Sequence, residues 1–158
     1  MRICRWVVFG VAAALLCVPA VAFAEFSTMN GQKVTLDSDK AFPCKYENLV
    51  RGTYGKIPAG KYLWLVVHPV GSSGYWPQGT AIIPHPKTGA WTAKFWLGTR
   101  GTDRGKEFEV WLYLVDQAGH KAFLNYLEQG RATGKYPEKS LPEKAEGVDM
   151  IQVVKSTD

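Results

Sequence analysis

The residues of this chain that could do chemistry are aromatic before they are ionic. Six tryptophans occur in 158 residues, and five of them (Trp64, Trp76, Trp91, Trp96 and Trp111) lie outside an apolar leader. Tyr75 and Trp76 sit in the run Gly71-Ser-Ser-Gly-Tyr-Trp-Pro-Gln-Gly79. Gly and Ser let such a loop adapt, while Tyr and Trp supply contact area at small entropic cost. The same two rings could instead fold back and plug one end of the fold. Trp96 and Trp111 each lie opposite the more apolar face of their segment. If those segments pair, Trp96, Trp111 and Tyr113 form one aromatic platform beside Lys94 and Glu109. A platform of this kind stacks on sugars or anchors a protein partner, unless a helix covers it. Tyr75, Trp76, Trp96, Trp111 and Tyr113 are therefore the candidate ligand-binding residues.

The ionic residues make a thinner case. His68 and His85 flank the aromatic loop, each immediately before a proline, and two imidazoles could meet across it. Neither they nor His120 show the short spacings of zinc ligands, so no metal and no cofactor is expected. The nucleophile elbow, the H-E-x-x-H helix and the phosphate-binding glycine loop are all missing from the sequence. Ser72 and Ser73 lie near His68, but no pattern marks an acid partner. Glu107 and Glu109 read as a solvated strand face, and Asp103-Arg-Gly-Lys106 as turn chemistry. No catalytic residue is assigned.

The leader sets the compartment. Arg2 and Arg5 precede 19 uncharged residues from Trp6 to Ala24, broken by Pro19 and closed by Ala22-Phe23-Ala24. That is the pattern of an export signal cleaved after Ala24, with an uncleaved anchor as the alternative. Leu16, immediately before Cys17, argues against a lipidation site. Residues 1–24 are thus read as signal peptide and 25–158 as one domain, exported to periplasm or medium without stable membrane insertion. Cys44 is the one cysteine left after cleavage, so no internal disulfide can form. It is expected buried in a monomer, with a Cys44-linked dimer as the alternative. Without Arg2 and Arg5 the 19 basic residues fall to 17 against 14 acidic, a net charge of +3. That balance is too mild to imply nucleic acid. A content of 46% hydrophobic and 21% charged residues excludes a fully disordered chain.

The elements that must position the aromatics read as β-structure. Gln32–Ser38 alternates through Val34 and Leu36, and Tyr46–Tyr54 carries Leu49 and Val50. Tyr62–Val67 is apolar on both faces, which predicts a central strand. Ala81–Ile83 suits a short edge strand closed by Pro84. Trp91–Leu97 puts Trp91, Ala93, Phe95 and Leu97 on one face, and Glu107–Val115 does the same with Phe108, Val110, Leu112 and Leu114. Gly98–Lys106 between them reads as a hairpin loop. Ala118, Ala122, Phe123, Tyr126 and Leu127 share a face at helical spacing, predicting about three turns stopped at Gly130. Val148–Val154 offers a last strand. The expected fold is mainly β, an antiparallel sandwich with one short helix near the C-terminus.

The order Gly60-Lys-Tyr-Leu-Trp-Leu-Val-Val, Tyr75-Trp76-Pro77-Gln78, Gly89-Ala-Trp91 and Gly105-Lys-Glu-Phe-Glu-Val resembles bacterial secreted modules with an immunoglobulin-like sandwich. The resemblance runs over residues 33–116. It implies an immunoglobulin-like β-sandwich with a module's role and no defined catalytic residues. The functional expectation is an exported, non-catalytic binding or interaction module of the envelope with a protein or carbohydrate partner. The alternatives are a hydrolase of envelope polymers and a purely structural envelope component.

Overall fold

The computed structural model describes residues 25–34 and 41–157. The expected signal peptide and the second half of the expected strand 32–38 lie outside the described residues. Among the described residues the chain is mainly β, with two sheets and one helix. In chain order the elements are β1 (Glu25–Met29), β2 (Gln32–Lys33), β3 (Phe42–Cys44), β4 (Glu47–Thr53), β5 (Tyr62–Pro69), β6 (Trp76–Pro77), β7 (Ala90–Trp96), β8 (Glu107–Val115), α1 (Gln117–Thr133) and β9 (Glu146–Lys155). One sheet runs β2-β1-β4-β7 and the other β3-β9-β8-β5-β6.

Alternation decides which side chains go inside. Phe26, Met29, Val50, Trp91 and Phe95 from the four-stranded sheet share one core with Leu63, Leu65, Val67, Phe108, Val110, Leu112, Ile151 and Val153 from the five-stranded sheet. Trp91, Phe95 and Leu97 are thus buried as their spacing predicts. Gly52 is small for a reason: a Cβ there would run into the Glu25 carbonyl and the Trp91 indole. Cys44 is buried, and burial pushes its thiol up to about 12, far from a reactive thiolate.

Four local expectations need correction. The pairing of β3 with β9 is parallel, so the sheets are not wholly antiparallel. β3 is a short edge strand ahead of the chain's crossing to β4, and an edge tolerates Pro43, which has no N–H to give. Gly98–Lys106 is not a hairpin loop, because it carries the chain from β7 in one sheet to β8 in the other. Positive φ at Gly98, Gly101, Asp103 and Gly105 winds it tightly. Inside it the fully buried Lys155 ammonium donates to the Thr99 and Thr102 carbonyls, both at 2.6 Å. Ala81–Ile83 contributes a single bridge, Ile82 to Leu63, in place of a strand. The helix, finally, has 17 residues, and Gly134 rather than Gly130 ends it, at φ 69°. Gly130 lies within the helix, where the Tyr136 ring packs against the space a Cβ would fill.

The helix exists because the five-stranded sheet is apolar on both faces. Trp64, Val66, Tyr113 and Val115 point away from the main core and form a second one with Phe123, Tyr126 and Leu127 of α1. Burying those three helix side chains contributes roughly 1.5–3 kcal/mol each, enough to hold a helix that would be marginal alone. Asp116 caps its start by accepting from the Gly119 N–H at 2.9 Å.

The docked first turn carries a pH-sensitive contact. His120 stacks on Tyr62 with centroids 3.9 Å apart, and its Nδ1 accepts from the Trp64 indole N–H at 3.2 Å. Burial lowers the His120 pKa from its ordinary 6.5. The folded state therefore favours the neutral ring, so this contribution is complete above pH 6.5 and fades as pH falls toward the lower folded value. Melting curves between pH 7.5 and 5 (roughly the histidine range) should show the wild type losing stability faster than His120→Gln. Parallel curves for the two proteins would contradict this.

Candidate binding surface

Strand register builds the site on the outer face of the five-stranded sheet. Along β5 the outward residues are Trp64, Val66 and His68, and their partners on β8 are Tyr113, Trp111 and Glu109. On the far side β9 places Met150 beside Trp111 and Gln152 beside Glu109. The helix covers the Trp64 end of this face, where Phe123 meets the Trp64 ring edge-on at 5.3 Å. At the other end Trp111 and Glu109 remain half-buried.

Between the two ends lies a run of rings. Trp111 stacks on Tyr113 with centroids 5.4 Å apart and planes at 27°. Tyr75 meets Tyr113 edge-on at 6.4 Å and stacks on His68 at 4.4 Å. His68 Nδ1 lies 2.9 Å from the Gly74 carbonyl, which only accepts, so the proton belongs on that nitrogen. Glu109 accepts from the Trp111 indole N–H at 2.8 Å, which fixes the carboxylate at the edge of the indole. Gly147 is where β9 passes the pair, since a Cβ there would sit 2.9 Å from the Trp111 ring. The Tyr113 phenol is pushed up to about 12, chiefly by burial, with the neighbouring Tyr75 and Glu109 adding to it. The arrangement offers flat apolar area next to one oriented carboxylate.

The aromatic loop is held rather than free. Tyr75 donates its N–H to the Lys139 carbonyl at 2.9 Å, and β6 pairs Trp76 with Val67. The Trp76 indole donates to the Tyr136 carbonyl at 2.9 Å. Both rings are half-buried against the second core, close to the end-plug alternative. Tyr75 still borders the Trp111 strip, whereas Trp76 ties the loop to the chain that follows the helix.

Trp96 stands apart. β7 pairs with β4, and β8 with β5 and β9, so the expected single platform of Trp96, Trp111 and Tyr113 does not form. Trp96 is 36% exposed, on the sheet that lacks Trp111 and Tyr113. Its register partner Glu47 is ion-paired with Lys94 at 2.9 Å. The hydrogen bond and charge of Lys94, with a smaller contribution from Trp96, lower the Glu47 pKa.

The other ionic candidates are dispersed. His85 accepts within its own turn from the N–H groups of Lys87 and Thr88, away from His68. Among the described residues no cluster of three His, Cys, Asp or Glu could hold a metal. No helix among them is long and apolar enough to cross a membrane. An open cleft of about 460 Å³ lies between the start of α1 and residues 139–144, but its Asp116 is committed to the helix cap. Spacing already sets Glu109 beside Trp111 on one strand face, and the structure adds the indole-to-carboxylate hydrogen bond between them. Compared with known proteins, the chain matches no family model, no curated protein and no solved structure.

Trp76 as a structural tie leads to a stability prediction. Trp76→Ala should cost about 3 kcal/mol, the low end for removing a buried aromatic because this ring is half-buried. A melting temperature within about one degree of wild type would contradict that role.

Proposed function

We propose that this chain is an exported, non-catalytic binding module of the bacterial envelope, built as an immunoglobulin-like sandwich. Its recognition surface is the strip of Tyr75, Trp111 and Glu109, with Tyr113 buried beneath it. The observation that carries this reading is Trp111, half-buried and stacked on the buried Tyr113 at the end of a sheet face whose other end the helix covers. Aromatic anchors beside a fixed polar group are the usual makings of a recognition patch. Two sheets enclosing one core support the sandwich. The A-x-A site supports export with cleavage after Ala24.

The test uses the chain from Glu25 onward, immobilised and exposed to envelope extract. Wild type should retain a discrete protein or glycan that Trp111→Ala loses while still melting cooperatively. Equal retention by both, or retention by neither, would contradict the reading. The exported protein should have an intact mass beginning at Glu25, and a membrane-held product beginning at Met1 would contradict export.

A further inference from the structure

The open end of the strip has a definite charge. Its outward strand positions are His68 on β5, Glu107, Glu109 and Trp111 on β8, and Met150, Gln152 and Val154 on β9. None of these is Lys or Arg, and two are carboxylates, although the chain as a whole is net basic. Glu109 is aimed by the indole N–H at 2.8 Å, so its charge sits at the border of the Trp111 ring. The Tyr113 phenol is pushed up to about 12 by burial first, and the Glu109 carboxylate adds to it. Apolar rings with a fixed anion beside them suit a flat cation. A guanidinium stacks on aromatic faces and hydrogen-bonds carboxylates in the same plane.

The shape narrows the source of that cation. From Glu107 to Trp111 the strip spans five residues, about 14 Å of strand. It is a sheet surface, and the cleft of about 460 Å³ lies elsewhere, beside the helix start. Small free ligands favour enclosed sites, whereas an open strip of this length matches a side chain presented by an extended segment. Resting on the binding-module reading, we propose that this strip receives an arginine side chain of a protein partner. The guanidinium lies across Trp111, which the buried Tyr113 supports from beneath, and pairs with the Glu109 carboxylate, and Tyr75 flanks its stem.

The test follows the Trp111 indole N–H by NMR in the chain from Glu25 onward. The probes are Nα-acetyl-arginine amide, its neutral citrulline counterpart, a nine-residue Gly/Thr peptide with one central arginine, and a neutral disaccharide. The arginine amide should shift the indole resonance in a saturable, salt-sensitive way, and citrulline should not. The peptide should bind at least about fivefold tighter than the amide if a protein presents the cation, since neighbouring backbone adds contact area. Glu109→Gln, which keeps an oxygen for the indole N–H, should weaken arginine at least about fivefold. Equal shifts from citrulline and arginine, or an unchanged affinity in Glu109→Gln, would overturn the cation. Equal affinity of peptide and amide would overturn the protein source. Response to the disaccharide alone would overturn the cation while leaving the binding surface standing. Silence from every probe would overturn the arginine assignment, and the extract comparison between wild type and Trp111→Ala then decides separately whether the strip binds anything.

Discussion

A β-sheet with two apolar faces must be covered on both sides, and the rest of this molecule follows from that constraint. β5 carries Leu63, Leu65 and Val67 on one face with Trp64 and Val66 on the other, all buried. β8 repeats the pattern beside it. Water cannot be left against either face without losing about 25 cal/mol for every Å² exposed. The four-stranded sheet takes the inner face. Among the described residues no further sheet covers the outer one, and the residues after β8 form a helix laid across it.

That outer cover is assembled from pieces that need one another. α1 supplies Phe123, Tyr126 and Leu127, and the chain beyond Gly134 returns along the helix with Tyr136 against Gly130. The Tyr136 carbonyl then accepts from the Trp76 indole, and the Lys139 carbonyl accepts from the Tyr75 N–H. An aromatic loop that would otherwise be free becomes part of the cover. The cover leaves Trp111 and Glu109 only half-buried, and the proposed recognition strip is centred on them. Stability is drawn from the Trp64 end of this sheet face, and the proposed binding lies at its Trp111 end.

Much of this was legible because periodicity reports which way a side chain points. Alternation puts Trp91, Phe95 and Leu97 inside, Tyr62–Val67 is apolar on both sides, and helical spacing aligns Phe123, Tyr126 and Leu127 on the buried face, although Ala118 on the same spacing is exposed. Periodicity does not report which strand lies next door. β7 and β8 follow each other in sequence, and a hairpin between them would have joined Trp96 to Trp111. The loop instead winds around Lys155, a residue 49 positions beyond Lys106, and local spacing carries no trace of that contact. Gly130 misled for a related reason. A glycine near a helix end usually marks a stop, and here it makes room for a ring six residues later. The fixing of Glu109 by the Trp111 indole was within reach of the sequence, since both residues share a strand face, but a carboxylate two residues from another carboxylate reads first as solvated surface.

Native-state hydrogen exchange tests the dependence of the sheet on its helix most directly. If the outer face cannot stand bare, the central amides of α1 and those of β8 open in one cooperative step and exchange with the same free energy. Truncating the anchor by Phe123→Ala should then lower both together. Helix amides that exchange through a separate, easier opening while β8 stays at the global limit would contradict it, because the sheet would then be stable with Trp64 and Val66 facing water.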